Sequence, residues 1–295
     1  MIKRYFIFFL LALPATQLFA QESLLKGLED SMPRQKVGPA FKSTRVINAH
    51  SSEMLAKGNL DFRILHRFGS VRPGVKEWFG LDQASMRMSF DYGLTNDLMV
   101  GIGRSTLRKE IDGFVKGRFL QQSEGPGAIP FSLVLVAGAA VHTEDLFNSN
   151  GAKVELSGVD RTSYYLQMVA GRKFSDKFSL QLSPIFVHRN ILDFSDESRD
   201  IFAMGGGLRY KVSKRMAVTM DYHHPFGDLH EGYHPPLSVG LDIETGGHVF
   251  QLHFTNTDGM TERAYITQTK GKFFNGDIRF GFNLSRIFRV GKRRV

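Results

Sequence analysis

Apolar and polar residues alternate along most of this chain, in blocks close to the ~9–11 residues that a tilted strand needs to cross a bilayer core. The last block shows it best. Ile278, Phe280, Phe282 and Leu284 fall on one face, which ends on the aromatic Phe288, while Asp277, Arg279, Asn283 and Ser285 fall on the other. A period of two is the mark of a strand with one apolar face. The same face is legible in Leu60, Phe62 and Ile64, in Met86, Met88, Phe90 and Tyr92, and in Tyr164, Leu166 and Met168. It recurs in Phe178, Leu180, Leu182 and Phe186, in Leu237, Val239, Leu241 and Ile243, and in Phe250, Leu252 and Phe254.

The pattern predicts twelve strands, near 58–68, 84–92, 97–106, 110–120, 131–142, 162–173, 177–188, 200–211, 215–224, 236–244, 248–257 and 276–288. Residues 131–141 are apolar on both faces, and the strand around Gly113 mixes them. The links alternate in length. Thr95-Asn96, Ser175-Asp176, Ser213-Lys214 and Thr245-Gly246-Gly247 are tight turns with suitable residues. Longer links lie at 69–83, 143–161, 189–199, 225–235 and 258–275. Two links break the rule: 107–109 is short where a long loop is expected, and 121–130 is long where a turn is expected. Short turns at one rim and long loops at the other describe a bacterial membrane barrel. A soluble β-sandwich also has short strands and turns, but nothing in it requires this alternation.

The start of the chain decides for the membrane. Lys3 and Arg4 precede an apolar run from Tyr5 to Leu13, and Ala20 is a small residue at the expected cut, so residues 1–20 are read as a signal peptide. No other stretch is long and apolar enough for a transmembrane helix. Residues 21–57 form an N-terminal segment, amphipathic at Leu24, Leu25 and Leu28, with a possible plug strand at Phe41–His50. That stretch is polar, and a thirteenth strand would spoil an even count that puts both ends in the periplasm. Residues 58–288 are the barrel, and 289–295 a basic tail.

Composition adds exclusions. The chain has no cysteine, so disulfide and thiol chemistry are absent. Its formal charge of +9 is scattered along alternating strands, which argues against nucleic-acid binding. The expected partners are outer-membrane lipid and the barrel-assembly machinery, which would read the closing strand. Arg286 interrupts that strand's alternation and Arg289–Val295 extend past it.

The block Phe41-Lys42-Ser43-Thr44-Arg45-Val46-Ile47-Asn48 is followed by Lys57 to Gly69, then Phe79-Gly80-Leu81-Asp82-Gln83-Ala84 and Asp112-Gly113-Phe114-Val115-Lys116. With the closing Phe282 to Phe288, the chain resembles a family of bacterial outer-membrane β-barrel proteins of unknown function. The resemblance covers nearly the whole mature chain. It implies fold and location, and brings no activity, cofactor or catalytic residue with it.

The polar faces offer candidate lumen-lining groups: Asp61, Arg63, Arg67, Arg87, Asp91, Lys116, Arg118, Arg209, Asp221, His223, Asp242, Glu244, His253, Asp277 and Arg279. Both signs are present, so these charges either pair across a narrow lumen or line a pore. His223, His230 and His234 are weak metal candidates, because their spacing matches no defined motif. A lipid hydrolase in the wall would need an outward serine beside an outward histidine, and His188 and His224 have none evident beside them. Gly205-Gly206-Gly207 is read as room for a bend or a bulky neighbour, not as a phosphate loop. The expected function is a narrow channel for a small polar or anionic solute, with no enzymatic activity and no cofactor. The alternative is a non-conducting barrel whose long outer loops, 143–161 and 258–275, bind a partner.

Overall fold

A computed structural model describes residues 33–147, 150–227 and 229–290. The stretch read as a signal peptide, the amphipathic run at Leu24, Leu25 and Leu28, and most of the basic tail lie outside them. Twelve antiparallel strands form one closed barrel in which each pairs with its neighbours in sequence. They are β1 (Asn59–Ser70), β2 (Ala84–Gly93), β3 (Leu98–Ser105), β4 (Glu110–Leu120), β5 (Ser132–His142) and β6 (Thr162–Lys173). The second half is β7 (Phe178–Arg189), β8 (Asp200–Lys211), β9 (Met216–Phe226), β10 (Leu237–Thr245), β11 (His248–Thr255) and β12 (Arg279–Arg289). β12 closes on β1, with Leu284 opposite Ile64 and Phe288 opposite Leu60. Closure leaves no unpaired edge, which is what lipid demands of a spanning sheet.

The twelve strands match those read from the alternation, with ends moved by a few residues. The largest shift is in the closing strand, which starts at Arg279 and not at 276. Gly276, at φ +83°, turns the chain just before it. The outward face carries the apolar residues: Phe90, Ile102, Leu166, Leu182, Phe202 and Phe254 are exposed. Aromatic residues cluster near both rims. Phe119, Phe174, Tyr210 and Phe288 lie towards the rim holding both barrel ends, here the lower rim. Tyr164, Phe202, Tyr222, Phe226 and Phe254 lie towards the upper rim. A soluble sheet would bury this face, whereas a membrane barrel shows it to lipid.

One lower-rim link exceeds a turn for a visible reason. Ser123–Glu124, within it, pair with Gln35–Lys36 of the N-terminal segment, and the Val37 amide donates to the Gln122 carbonyl at 2.9 Å. The short upper link carries Arg108, whose guanidinium reaches across to Asp193 at 2.6 and 2.7 Å.

The barrel is filled. Residues 40–52 enter from the lower rim, turn at 45–50 and return to that rim; the backbone of the turn is closed by Val46 to Ala49 and Ser51 to Thr44 hydrogen bonds, each 2.9 Å. From the upper rim, residues 256–269 fold inward and carry the short helix α1 (Glu262–Thr267), every residue of which is buried. The expectation that 258–275 is an outward loop is thereby corrected for its first half. Its residues Thr261, Glu262 and Arg263 find buried partners inside the barrel, as set out below.

The two-faced apolar character of residues 131–141 now has a cause. Val134 and Val136 face inward and join Met99, Phe114, Val169, Ile185 and Val187 in an internal apolar cluster. Leu55 of the N-terminal insert and Tyr265 and Ile266 of α1 pack into it. One half of the lumen wall is therefore a hydrophobic core for the two inserts.

Candidate functional site: a plugged lumen

The N-terminal insert, here called the plug, is gripped by the polar half of the wall. Alternation on β9 turns Asp221 inward, and one of its carboxylate oxygens accepts three successive backbone amides of the plug turn. The donors are Ile47 at 3.2 Å, Asn48 at 2.6 Å and Ala49 at 3.1 Å. Hydrogen bonds to an ionised acceptor are among the stronger ones. Asn48 is held by both ends of its amide, donating to the Ser238 hydroxyl at 2.8 Å and accepting from Arg67 at 2.8 Å. Asn283 donates to the Ile47 carbonyl at 2.9 Å, and Gln251 to the Val46 carbonyl. Thr44 accepts from Arg63 at 2.7 Å through its hydroxyl and from Lys116 at 3.2 Å through its carbonyl. Gln181 donates to the His50 carbonyl at 2.7 Å.

Inward glycines make the room. A side chain at Gly171 would meet Ser52 at 2.5 Å, and one at Gly207 would meet Gln181 at 2.9 Å and Val46 at 3.0 Å. At Gly205 it would meet Ser183 and His223 at 2.4 and 2.5 Å. The triple-glycine stretch thus serves bulky neighbours, and one of those neighbours belongs to the plug.

Of the residues proposed to line the lumen, Asp61, Arg63, Arg67, Arg87, Asp91, Lys116, Arg209, Asp221, His223, Asp242 and His253 are buried inside the barrel. Most of the charges pair. Arg63 binds Asp61 at 2.7 Å, Arg87 binds Asp112 at 2.5 and 2.8 Å, and Arg209 binds Glu244 at 3.0 Å with Asp242 at 3.9 Å. Glu244 also takes Lys42 of the plug at 3.1 Å. Arg118 sits at the lower rim, bound to Asp97 at 2.6 Å. Arg279 sits at the upper rim, 3.7 Å from Asp258. Asp277 is a correction. It precedes the closing strand and pairs with the exposed Arg72 at 2.8 Å, outside the lumen.

Among the described residues, eight buried carboxylates are matched by eight buried arginines and lysines, so the interior carries no excess of one sign. The cations that lack a carboxylate within 4.0 Å are informative. Arg67 is held by Asn283, Asn48 and the His66 carbonyl, and Lys116 by Thr44. Both are committed to the plug in place of a wall acid.

The histidines do not assemble. His223 is buried edge-on to Tyr265 at 5.1 Å. His230 stacks on Phe194 at 3.5 Å and contacts Asp196 at 3.0 Å. His234 lines a separate recess with Phe273 and Phe274. Among the described residues no cluster of three acidic or histidine side chains stands ready for a metal. On the lipid side, His188 contacts Asp200 at 2.6 Å and Asn190 at 3.0 Å, and His224 contacts the Tyr222 hydroxyl at 3.3 Å. No serine is among these partners.

Residues that the alternation could not reveal complete the site. Arg45 and His50 of the plug meet Glu262 of α1 in the lumen, at 2.7 and 3.3 Å. Glu110 on β4 takes Arg263 and Thr261 at 2.7 Å each, with His142 at 3.0 Å. Glu262 and Arg263 lie in a stretch whose sequence is that of any polar loop, and only its return into the barrel gives them partners.

No curated protein matches the sequence. The fold is similar to solved outer-membrane barrels. The KdgM porin is 11% identical, with 78% of this chain and 99% of that one aligned at a TM-score of 0.46. The NanC porin is 12% identical, with 77% and 98% aligned at 0.45. The outer membrane protein Omp33 of Acinetobacter baumannii is 9% identical, with 79% and 99% aligned at 0.39. These likenesses are distant, and the assignment rests on sequence. Residues 41–288 match the model of a family described as a membrane-bound β-barrel domain (DUF5777), a match that runs from the plug into the closing strand, and the chain belongs to that family.

Proposed function

We propose that this protein is a gated, narrow channel of the bacterial outer membrane, closed at rest by two internal segments. The observation that carries this is the route of the plug. It enters and leaves by the same rim, so it can withdraw without being threaded, and polar groups of β1, β4, β7 and β9–β12 hold it. An insert whose only role was to fill the barrel would be more cheaply packed with apolar residues, since buried ion pairs add little net stability. Polar walls left by its withdrawal would be wetted, as in other water-filled barrels. The expected cargo is a small polar solute, since the balanced charge inside supports no preference of sign. On this reading the protein is secreted through its N-terminal signal, has both ends in the periplasm, and transports without catalysing.

The second reading, a sealed barrel whose upper loops bind a partner, draws on the same pairing of charges. Planar-bilayer recording separates the two. Deletion of residues 21–52 should convert a mostly closed protein into one with frequent or standing conductance. A barrel that keeps its heat-sensitive folded mobility on gels, yet is silent after this deletion and after the further deletion of 260–268, would end the channel reading.

A further inference from the structure

The two inserts come from opposite rims and meet inside the barrel. The Arg45 guanidinium donates to Glu262 at 2.7 Å and to the Asn48 carbonyl at 2.6 Å. His50 lies 3.2 Å from Arg45 and 3.3 Å from Glu262. The Arg45 and Glu262 side chains are 1% and 2% exposed. Withdrawing either insert alone would separate Arg45 from Glu262, a pair that the closed lumen keeps from water, so each insert is held more firmly while the other is seated. Leu55 of the plug and Tyr265 and Ile266 of α1 also share one apolar cluster.

The upper insert has an equally direct link to the outer loops. Gln268 donates to Asp193 at 2.5 Å, and Asp193 also binds Arg108 and the Tyr233 hydroxyl, the latter at 3.2 Å. A connected route therefore runs from the loops around Asp193 through α1 to Glu262, then through Arg45 and the plug to the exposed stretch at 33–36 on the lower rim. We propose that the inserts move as one body and make the barrel a relay. A ligand that draws on the upper loops would release the N-terminal segment at the opposite face, and a pull on that segment would loosen the upper loops, because coupling of this kind is reciprocal. The relay needs a withdrawable plug, as the channel reading does, but it does not need conduction.

The chain has no cysteine, so a single introduced thiol is a clean reporter. Ala49→Cys marks the plug and Ala264→Cys marks α1, both at buried positions. Each is labelled with a bulky maleimide in the full-length, folded protein. In the Ala49→Cys background, Glu262→Gln should raise the labelling rate at least tenfold, although the change lies on the other insert. Arg45→Gln should do the same to Ala264→Cys, and combining the two changes should add less than twofold to the larger single effect. A test that leaves the Arg45–Glu262 pair intact is a urea series on the two reporters alone, in which both thiols should become reactive together. Labelling that rises only on the mutated insert, multiplicative effects in the double variant, or separate urea midpoints would overturn the proposal. A silent barrel with coupled labelling would sink the channel and leave the relay standing; a conducting barrel with independent labelling would do the reverse.

Discussion

Asp221→Ala is the sharpest perturbation of the plug. One oxygen of this carboxylate receives three backbone amides, at 3.2, 2.6 and 3.1 Å. Hydrogen bonds to a charged group contribute about 1.5–3 kcal/mol each, and buried donors left without a partner cost about 1–3 kcal/mol. Three donors sharing one oxygen do not add fully, so about 3 kcal/mol is a conservative loss for the seated state. That corresponds to somewhat more than a hundredfold in the ratio of withdrawn to seated plug. Asp221→Asn keeps a neutral acceptor and should lose about 1 kcal/mol, roughly fivefold. The assay is single-channel recording, with hydrogen exchange at the Asn48 and Ala49 amides as an independent reading of seating. Open probability should rise in the order wild type, Asn, Ala, with exchange rising in parallel. An Ala variant as quiet as the wild type, with amides still protected, would show that the carboxylate does not hold the plug.

Other expectations follow from the same geometry. Gly171→Val places a side chain where Ser52 now sits, 2.5 Å from the first added carbon. It should raise open probability without reducing the yield of folded barrel, and a quiet, folded variant would count against the tight fit. His50 on the plug is held well below its ordinary range, first by burial and then by Arg45, Lys116, Arg87 and Arg63. Glu262 and Tyr165 are its other polar neighbours. A seated plug keeps His50 neutral, while a withdrawn plug lets it titrate near its ordinary value of about 6.5. The resulting preference for closure is fully present above that pH and lost below it, by up to about 1.4 kcal/mol per pH unit. Glu53, whose pKa is raised by burial, opposes this as pH falls further towards the carboxylate range. Conductance should therefore increase as pH falls from about 6.5 to 5.5, and His50→Gln should flatten the response; an unchanged pH profile in that variant would remove His50 from the mechanism. Leu182, 55% exposed on the outer face, should cost about 2–4 kcal/mol of assembly stability as Leu182→Arg, measured by urea titration in lipid vesicles. Tolerance of the arginine would contradict the facing. The inward neighbour Ser183 is no mild control, because it packs over Gly205 beside His223 in a filled interior.

The wall was legible because lipid imposes a strict period of two, and each strand repeats it. Leu60, Phe62 and Ile64 announce their face whatever lies inside. The polar face gave the direction of Arg63, Arg87 and Asp221 but not their partners, since partnership depends on register and on what fills the lumen. The plug was partly visible in the polarity of residues 41–50. The inward course of 256–269 was not, because a polar loop that reaches solvent and one that reaches Glu110 and Arg45 share the same residue types. Asp277 lies outside the lumen for a related reason. The alternation of Asp277, Ile278 and Arg279 predicts a strand from 276, three residues before the sheet takes up the chain at Arg279, because Gly276 and the Arg72 contact hold the intervening residues outside it.

The central claim, a conduit closed by a retractable plug, is tested most directly by pinning the plug in the full-length chain. The carbon that a side chain at Gly207 would add lies 3.0 Å from a Val46 methyl. This brings the two Cβ positions within about 4.5 Å, inside the reach of a disulfide. In the Val46→Cys/Gly207→Cys protein, planar-bilayer recordings should show no openings while the disulfide is formed. Openings should return when a reductant is added and vanish again on reoxidation. Conductance that is the same in both redox states, with the disulfide verified by mass, would contradict the account.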